Sequence, residues 1–313
     1  MSVYTKITEA ELELHLKNYS VGKVLNFSGI SEGIENSNYL LTTENGEFIF
    51  TIFESIKTPK IEQYLSFMNH MKLNGLLSPL VIKSNDGALF KTIKNKPSAI
   101  IEKLDGKSLI HPNSDHCSQL GKVLANFHIH GSNFRPEIEN PRSILWVEEA
   151  LETLEGLIDQ NKLSLIKNAI EIQKYFLKID LPSGMIHADL FRDNILFSKN
   201  RISGIIDFYY SCKGMYIYDI AVVVNDWCSQ ENSTIDYKKL NSLLAEYNKH
   251  RKITDNEKNQ WKSALVSAAL RFYLSRLLDL YFPKIGEITH IKDPTVFENI
   301  LIDRIESEHQ ISL

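Results

Sequence analysis

The residues of this chain best placed to do chemistry are His187, Asp189, Asp193 and Asn194, with Asp207 a little further on. They lie in Gly184-Met-Ile-His-Ala-Asp-Leu-Phe-Arg-Asp-Asn-Ile-Leu-Phe197, followed by Ile205-Ile206-Asp207-Phe208. Asp and Asn oxygens are hard ligands, suited to Mg²⁺ and poorly suited to zinc. A carboxylate left off the metal can accept a proton from a substrate hydroxyl. Metal ligands beside a positioned base are what phosphoryl transfer from a nucleotide requires.

Such groups need rigid neighbours. Met185-Ile186, Ile195-Leu196-Phe197 and Gly204-Ile205-Ile206 read as short buried strands that grip the polar loop. Carboxylates there are costly unless paired, hydrogen-bonded or metal-bound. The spacing His-x-Asp-x-x-x-x-Asn, with an Asp-Phe in the next strand, matches a kinase catalytic loop and its metal-binding loop. Two other readings compete. A plain Asx-turn loop leaves Asp207-Phe208 unexplained. A metallohydrolase needs more histidine ligands than His187 supplies, and His128-Ile-His130 cannot put both rings on one helical face. His128, on an apolar stripe, reads as a hydrogen-bonded core histidine. His111, His116 and Cys117 read as a loop and helix start.

Up to about residue 104 the chain is strand-rich. Thr8-Glu9-Ala10-Glu11 reads as a capping box opening a helix. Strand-like runs cover 21–33, 38–43 and 47–53, with Glu44-Asn45-Gly46 as a hairpin turn. Thr58-Pro59 starts the main helix, with Thr58 as N-cap, and Gly75 stops it. Strands follow near 89–93 and 99–104. Beyond Asp105-Gly106 helical stripes dominate, starting after Ser114 and then covering 144–158, 163–177, 218–228, 237–250 and 257–281. The expected fold class is α+β: a small N-terminal antiparallel-sheet lobe, 1–104, with one main helix, and a larger, mostly helical lobe, 105–313.

The 313 residues are 43% hydrophobic and 24% charged, an ordinary globular composition that excludes disorder. A formal net charge of −4 disfavours a nucleic-acid binder. No apolar run is long enough for a membrane span. Three scattered cysteines without a Cys-x-x-Cys pair, and an N-terminus that does not resemble a signal peptide, suggest a reducing, cytoplasmic setting.

The catalytic-loop segment resembles the aminoglycoside/choline kinase-like branch of the bilobal protein-kinase superfold. Together with Gly33-Ile-Glu-Asn-Ser-Asn-Tyr39, Val224-Asn-Asp-Trp-Cys228 and Ala269-Leu-Arg-Phe-Tyr-Leu-Ser-Arg-Leu-Leu-Asp-Leu280, it resembles the kinase-like bacterial homoserine kinases over nearly the whole chain. The resemblance implies an ATP- and Mg²⁺-dependent phosphotransferase acting on L-homoserine in threonine biosynthesis. Asp189 would be the base, Asn194 and Asp207 the metal ligands, His187 a scaffold, and Asp219 a brace for the loop through backbone N–H groups. The nucleotide would lie between the lobes, with adenine on the backbone of 101–104 (Glu102, Leu104). Loop 29–38 would cover the phosphates, Asn36 and Ser37 assigned to the nucleotide and Asn38 to the acceptor, unless all three are turn residues.

One position departs from the family. Alternation on Phe48-Ile-Phe-Thr-Ile-Phe-Glu54 puts Thr51 where a phosphate-gripping lysine usually sits. Its usual glutamate partner would be Glu62, and Arg192 is the nearest basic substitute. Homoserine also needs a cation for its carboxylate and an anion for its ammonium. Arg192, Arg271 and Arg276 are the cation candidates; Arg271 and Arg276, with Asp279, read equally as a helix-face ion cluster. Asp226 or Asp193 would take the ammonium, and Tyr209, Tyr210 and Trp227 either line a pocket or belong to the core. The alternatives are a related kinase for choline, an aminoglycoside or methylthioribose, and a non-catalytic kinase-like module. Intact Asp189, Asn194 and Asp207 argue against the last.

Overall fold

The computed structural model describes residues 4–30, 36–283 and 292–311. They sort into two compact units, one up to Asp105 and one from Gly106 onward. Residues 31–35, in the stretch expected to cover phosphates, lie outside the described residues.

In the first unit α1 (Glu9–Leu16) opens on the expected capping box: the Thr8 hydroxyl accepts from the Glu11 N–H and the Glu11 carboxylate accepts from the Thr8 N–H. Strands β1 (Val24–Gly29), β2 (Ser37–Thr43) and β3 (Gly46–Ile52) form an antiparallel meander. Thr43 pairs with Gly46, so Glu44 and Asn45 make the turn. The left-handed φ of 138° falls on Gly46 rather than Asn45. Helix α2 (Thr58–Leu73) starts one residue earlier than expected, with Lys57 as N-cap and no side-chain cap bond. It ends as expected at Gly75, whose φ of +83° lets Leu76 N–H reach Met71 O at 3.1 Å and Gly75 N–H reach Lys72 O at 3.0 Å.

Strand β4 (Val81–Ile82) has no counterpart in the sequence reading, because two residues cannot display an alternation. Strands β5 (Lys91–Ile93) and β6 (Lys96–Glu102) meet across Lys94-Asn95, both with positive φ, as a tight hairpin requires. The sheet order is β1-β2-β3-β6-β4, with β5 also on β6. Leu12 and Leu16 of α1 pack with Tyr39, Leu41, Phe50, Ile52 and Ile100 in one apolar cluster.

The second unit begins with α3 (Ser114–Gly131), α4 (Ile144–Leu154) and α5 (Gln160–Phe176). Four short strands follow: β7 (Ser183–Ile186), β8 (Ile195–Ser198), β9 (Arg201–Ile205) and β10 (Cys212–Met215). Next come α6 (Tyr216–Trp227), α7 (Tyr237–His250), α8 (Asp255–Asn259), α9 (Trp261–Tyr281) and α10 (Pro294–Glu306). The helix expected over 257–281 is thus two helices broken at Gln260, the first with its own Thr254–Glu257 capping box. Gly121 lets α3 and α7 touch: a Cβ there would sit 2.2 Å from the Leu243 carbonyl oxygen.

Helix α10 escapes the sequence reading. Its inner stripe is Phe297, Ile300, Leu301 and Arg304, and an arginine interrupts the apolar signal. Arg304 is fully buried and satisfied by Asn225 Oδ1 at 2.9 Å, Ser229 Oγ at 2.7 Å and Ser233 O at 3.0 Å. The three cysteines are buried thiols. Among the described residues, no helix is long and apolar enough to cross a membrane.

Candidate active site

Loop 187–194 leaves β7, which pairs with β10, and enters β8, which forms a hairpin with β9. Met185, Ile186, Ile195 and Ile205 are buried, so both ends of the loop are fixed in core. Its backbone hangs on Asp219 of α6. Oδ2 of Asp219 accepts the His187 N–H at 2.9 Å and Oδ1 accepts the Ala188 N–H at 2.8 Å. Oδ2 also meets His128 Nε2 at 3.0 Å. Burial pushes the Asp219 carboxyl up, but the His128 hydrogen bond and charge, with the loop N–H groups, outweigh it and hold the group below the usual carboxylate range.

Burial pushes His128 down against the pull of Asp219. The pair is therefore an ionised carboxylate and a neutral imidazole, which assigns the Nε2 proton to the Asp219 bond. Nδ1 then accepts from the Tyr247 hydroxyl at 2.7 Å. Arg251 donates to Tyr247 Oη at 3.2 Å and to Glu257 at 2.8 Å, which ends the chain. Both expected roles hold: Asp219 braces the loop, and His128 is a bonded core histidine.

Ala188 has φ of 63°, a left-handed conformation that costs a non-glycine residue roughly 1 kcal/mol or more. The Asp219 bond to its N–H holds that conformation and sets the exit direction of Asp189. Asp189 Oδ1 accepts from Arg271 Nη1 at 3.1 Å, an ion pair reaching from α9. Asn194 Nδ2 donates to the Asp189 carbonyl at 2.7 Å and lies 3.3 Å from Oδ2. The Asn194 carbonyl accepts the Ile206 N–H at 3.0 Å, while His187 Nε2 donates to the Ile206 carbonyl at 3.1 Å. Ile206 is gripped from both sides, and the next residue, Asp207, is exposed and left-handed with φ of 62°. The backbone of Asn194 is thus bonded to the residue next to Asp207 at the open end of the β8–β9 hairpin.

Burial drives the His187 pKa down to about 4, so its ring is a neutral scaffold donor. Trp227 is core, its Nε1–H bonded to the Leu190 carbonyl at 3.1 Å beneath the same loop. Among the described residues, no three histidine, cysteine or carboxylate side chains converge as a metal-holding group, so the zinc reading lacks its ligand set.

Several expected contacts are placed elsewhere. Arg192 and Asp226, assigned to opposite ends of the acceptor, bind each other: Asp226 Oδ2 accepts from Arg192 N at 2.8 Å and Nε at 3.1 Å, and Oδ1 accepts from Nη2 at 3.1 Å. Arg192 Nη1 donates to the Ile110 carbonyl at 2.8 Å. A bidentate pair of this kind fixes the loop, and it commits both the proposed carboxylate partner and the proposed substitute for the missing lysine. Asp193 pairs with Lys292 at 2.7 Å. Arg276 donates to the Asp293 carbonyl at 2.8 Å and lies over the Phe297 ring. Arg271 pairs with the loop rather than with a neighbour on its own helix.

In the first unit the buried Ser37 hydroxyl accepts from the N–H groups of Tyr4 at 2.8 Å and Thr5 at 2.9 Å, and donates to Glu54. Asn36 Oδ1 faces the Glu54 N–H at 3.4 Å, and Asn38 Oδ1 accepts from Thr51 Oγ1 at 2.7 Å. These side chains hold β2 to β3 and to residues 4–5, the contacts that the turn-and-strand alternative expects. Lys96, on β6, pairs with Glu54. Glu62 is exposed. Glu102 accepts the Leu80 N–H at 2.9 Å and pairs with Lys72 at 2.7 Å, and its own N–H donates to Leu80 O at 2.8 Å, so that N–H is not open to adenine. Leu104 lies just past β6, half-buried.

Arg142, between α3 and α4, has no sequence signal: it follows Pro141 in an aperiodic link. In the structure its Nη2 donates to Tyr210 Oη at 3.0 Å, and Tyr210 in turn lies under the Arg271 guanidinium at 4.8 Å.

A family model described as the phosphotransferase enzyme family matches residues 26–253. A homoserine kinase of Methylobacillus flagellatus is 39% identical over 311 residues, 99% of this chain and 98% of that protein. A homoserine kinase of Neisseria meningitidis serogroup B is 36% identical over 302 residues, 96% of this chain and 99% of that protein. Among solved structures, an amicoumacin kinase in complex with AMP-PNP and Ca²⁺ superposes with a TM-score of 0.74 at 16% identity, covering 96% of this chain and 93% of that one. The last comparison establishes a kinase-like fold.

Proposed function

We propose that this chain, which belongs to the phosphotransferase enzyme family and within it to the homoserine kinase group, transfers the γ-phosphate of ATP to the hydroxyl of L-homoserine. The observation that carries the choice of acceptor is the 39% identity to a homoserine kinase across nearly both full lengths. The step belongs to threonine biosynthesis, and its setting is cytoplasmic. We assign recognition of the nucleotide to residues 1–104 and of the acceptor to 105–313.

Asp189 accepts the hydroxyl proton and aims the oxygen at phosphorus. A general base of this kind contributes roughly 10²–10⁴-fold in rate. The left-handed Ala188 and the Asp219 bonds hold Asp189 in one direction, so its orientation is set before substrate binds. Asn194 and Asp207 are the residues that would hold Mg²⁺. The donor set fits: Asn194 spends its Nδ2 on Asp189, which leaves its amide oxygen as the ligand atom, and Asp207 is an exposed carboxylate next to Ile206, to which the Asn194 backbone is bonded. When bound, the ion supplies charge neutralisation on the phosphates. Arg271, reaching from α9, pairs with the carboxylate of the base and helps to fix its position.

The test is ATP consumption with Mg²⁺ across homoserine, threonine, serine, choline, methylthioribose and kanamycin. Homoserine should dominate, because buried partners left unpaired by a wrong acceptor are expensive. Comparable turnover of kanamycin or choline rejects the acceptor. Asp189→Asn should lose about 10²–10⁴-fold in kcat while the chain stays folded, its melting midpoint lowered only by the weakened Arg271 pair. Retention of most of the rate rejects the base.

A further inference from the structure

Among the described residues, no carboxylate balances the charge of Arg142, and its Nε is buried without a hydrogen-bond partner. Its guanidinium lies 4.4 Å from the centre of the Trp146 ring and 5.3 Å from that of Tyr210. Ring stacking accounts for the position of the cation. It does not satisfy Nε, whose burial without a partner is unfavourable.

The second guanidinium on the Tyr210 ring is that of Arg271, nearly fully buried, with Nη1 on Asp189. Two guanidiniums therefore meet at one phenol: that of Arg271 is paired with the proposed base, and that of Arg142 has no ion pair among the described residues. An acceptor carboxylate would supply that pair in the planar geometry that a guanidinium fork matches. The scale is right: in homoserine the hydroxyl oxygen and the carboxylate carbon are separated by three carbons, roughly 5 Å when extended. An acceptor whose hydroxyl rests at Asp189 would carry its carboxylate that far toward the Tyr210 ring, whose centre lies 4.8 Å from the Arg271 guanidinium and 5.3 Å from that of Arg142.

We propose that Arg142, together with Arg271, binds the α-carboxylate of the acceptor and so selects amino-acid alcohols over amino alcohols that lack a carboxylate. This rests on the acceptor reading above and names its specificity residue. Arg271 touches the base, so altering it disturbs rate as well as binding. Arg142 meets Tyr210 and Trp146 rather than the base, so altering it changes acceptor binding and leaves the chemical step intact.

The experiment compares L-homoserine with 3-amino-1-propanol, the same chain without the carboxylate, under Mg-ATP. In Arg142→Gln the homoserine KM should rise on the order of 10- to 100-fold, the effect of losing a hydrogen bond to a charged group. Its kcat should stay near that of the parent, and kcat/KM for 3-amino-1-propanol should not change. Arg142→Lys, which keeps the charge and loses the fork, should recover part of the loss. Tyr210→Phe, which keeps the ring and removes the oxygen that orients Arg142, should raise the homoserine KM by a smaller factor and provides the test if Arg142→Gln does not fold. An unchanged homoserine KM in the folded variants, or equal losses for both acceptors, overturns the proposal and leaves the acceptor reading standing. A parent enzyme that does not favour homoserine over 3-amino-1-propanol removes the acceptor reading and this inference with it.

Discussion

Loop 187–194 in the second unit and segment 36–38 in the first are both short polar runs beside buried strands, yet Asp189 in the one and Ser37 in the other have opposite fates. Around the loop, anchors come from elsewhere in the chain: Asp219 holds the backbone of 187 and 188, and Trp227 holds the Leu190 carbonyl. The side chain of Asp189 is then turned toward Asn194 and Arg271. In segment 36–38 the side chains are themselves the anchors, with Ser37 tied to Tyr4, Thr5 and Glu54, and Asn38 to Thr51. A polar run is available for chemistry when other residues hold its backbone. It is structural when its own side chains do the holding.

The sharpest way to break this contrast is to remove the outside anchor. Asp219→Ala strands two backbone N–H groups and the His128 N–H in a dry interior, and should cost roughly 1–3 kcal/mol for each of these unmet donors in a denaturant melt. It should also lower phosphoryl transfer by releasing Ala188 from its left-handed conformation. A loss under about 1 kcal/mol would mean that the loop is held by its flanking strands instead.

Acidification weakens the same anchors more gently. Burial lowers the His187 pKa to about 4 and lowers that of His128, so the folded protein keeps both rings neutral where the unfolded chain binds protons. The stability contributed by neutral burial is complete above the unfolded histidine value, about 6.5, and is lost as pH falls from there toward 4. Asp219, whose folded value is lowered, keeps its contribution until pH falls below the ordinary carboxylate range. Thermal midpoints should therefore drop between pH 7 and 5, and His187→Asn should flatten part of that slope. A flat profile for the parent would contradict neutral burial of the two rings.

The smallest effect belongs to the first unit. Thr51→Ala removes one hydrogen bond to Asn38 and should cost about 0.5–1.5 kcal/mol, with the KM for ATP nearly unchanged. A large fall in kcat would place Thr51 at the chemistry and erase the distinction between the two segments.

Much of this was legible before any coordinates. The Thr8 capping box, the Gly75 stop and most helices follow from signals within a few residues of one another. So does the polar loop, since its candidate base and metal ligands are near neighbours in the chain. What stayed illegible was either too short or masked. Strand β4 has only two residues, β10 follows a turn without alternation, and α10 hides its inner face behind Arg304.

Residue types, local spacing and hydrophobic period were enough to settle the fold class and to point at Asp189, Asn194 and Asp207. Those properties act along the chain, over the reach of a helical turn or a hairpin. Which charge meets which was settled only by packing. Arg192 goes to Asp226, Arg271 to Asp189 and Arg142 to Tyr210, although each arginine was chemically suited to any of these acceptors. Ion pairing falls off with distance in space, and distance in space between segments far apart in sequence is set by how helices and strands close upon a common core.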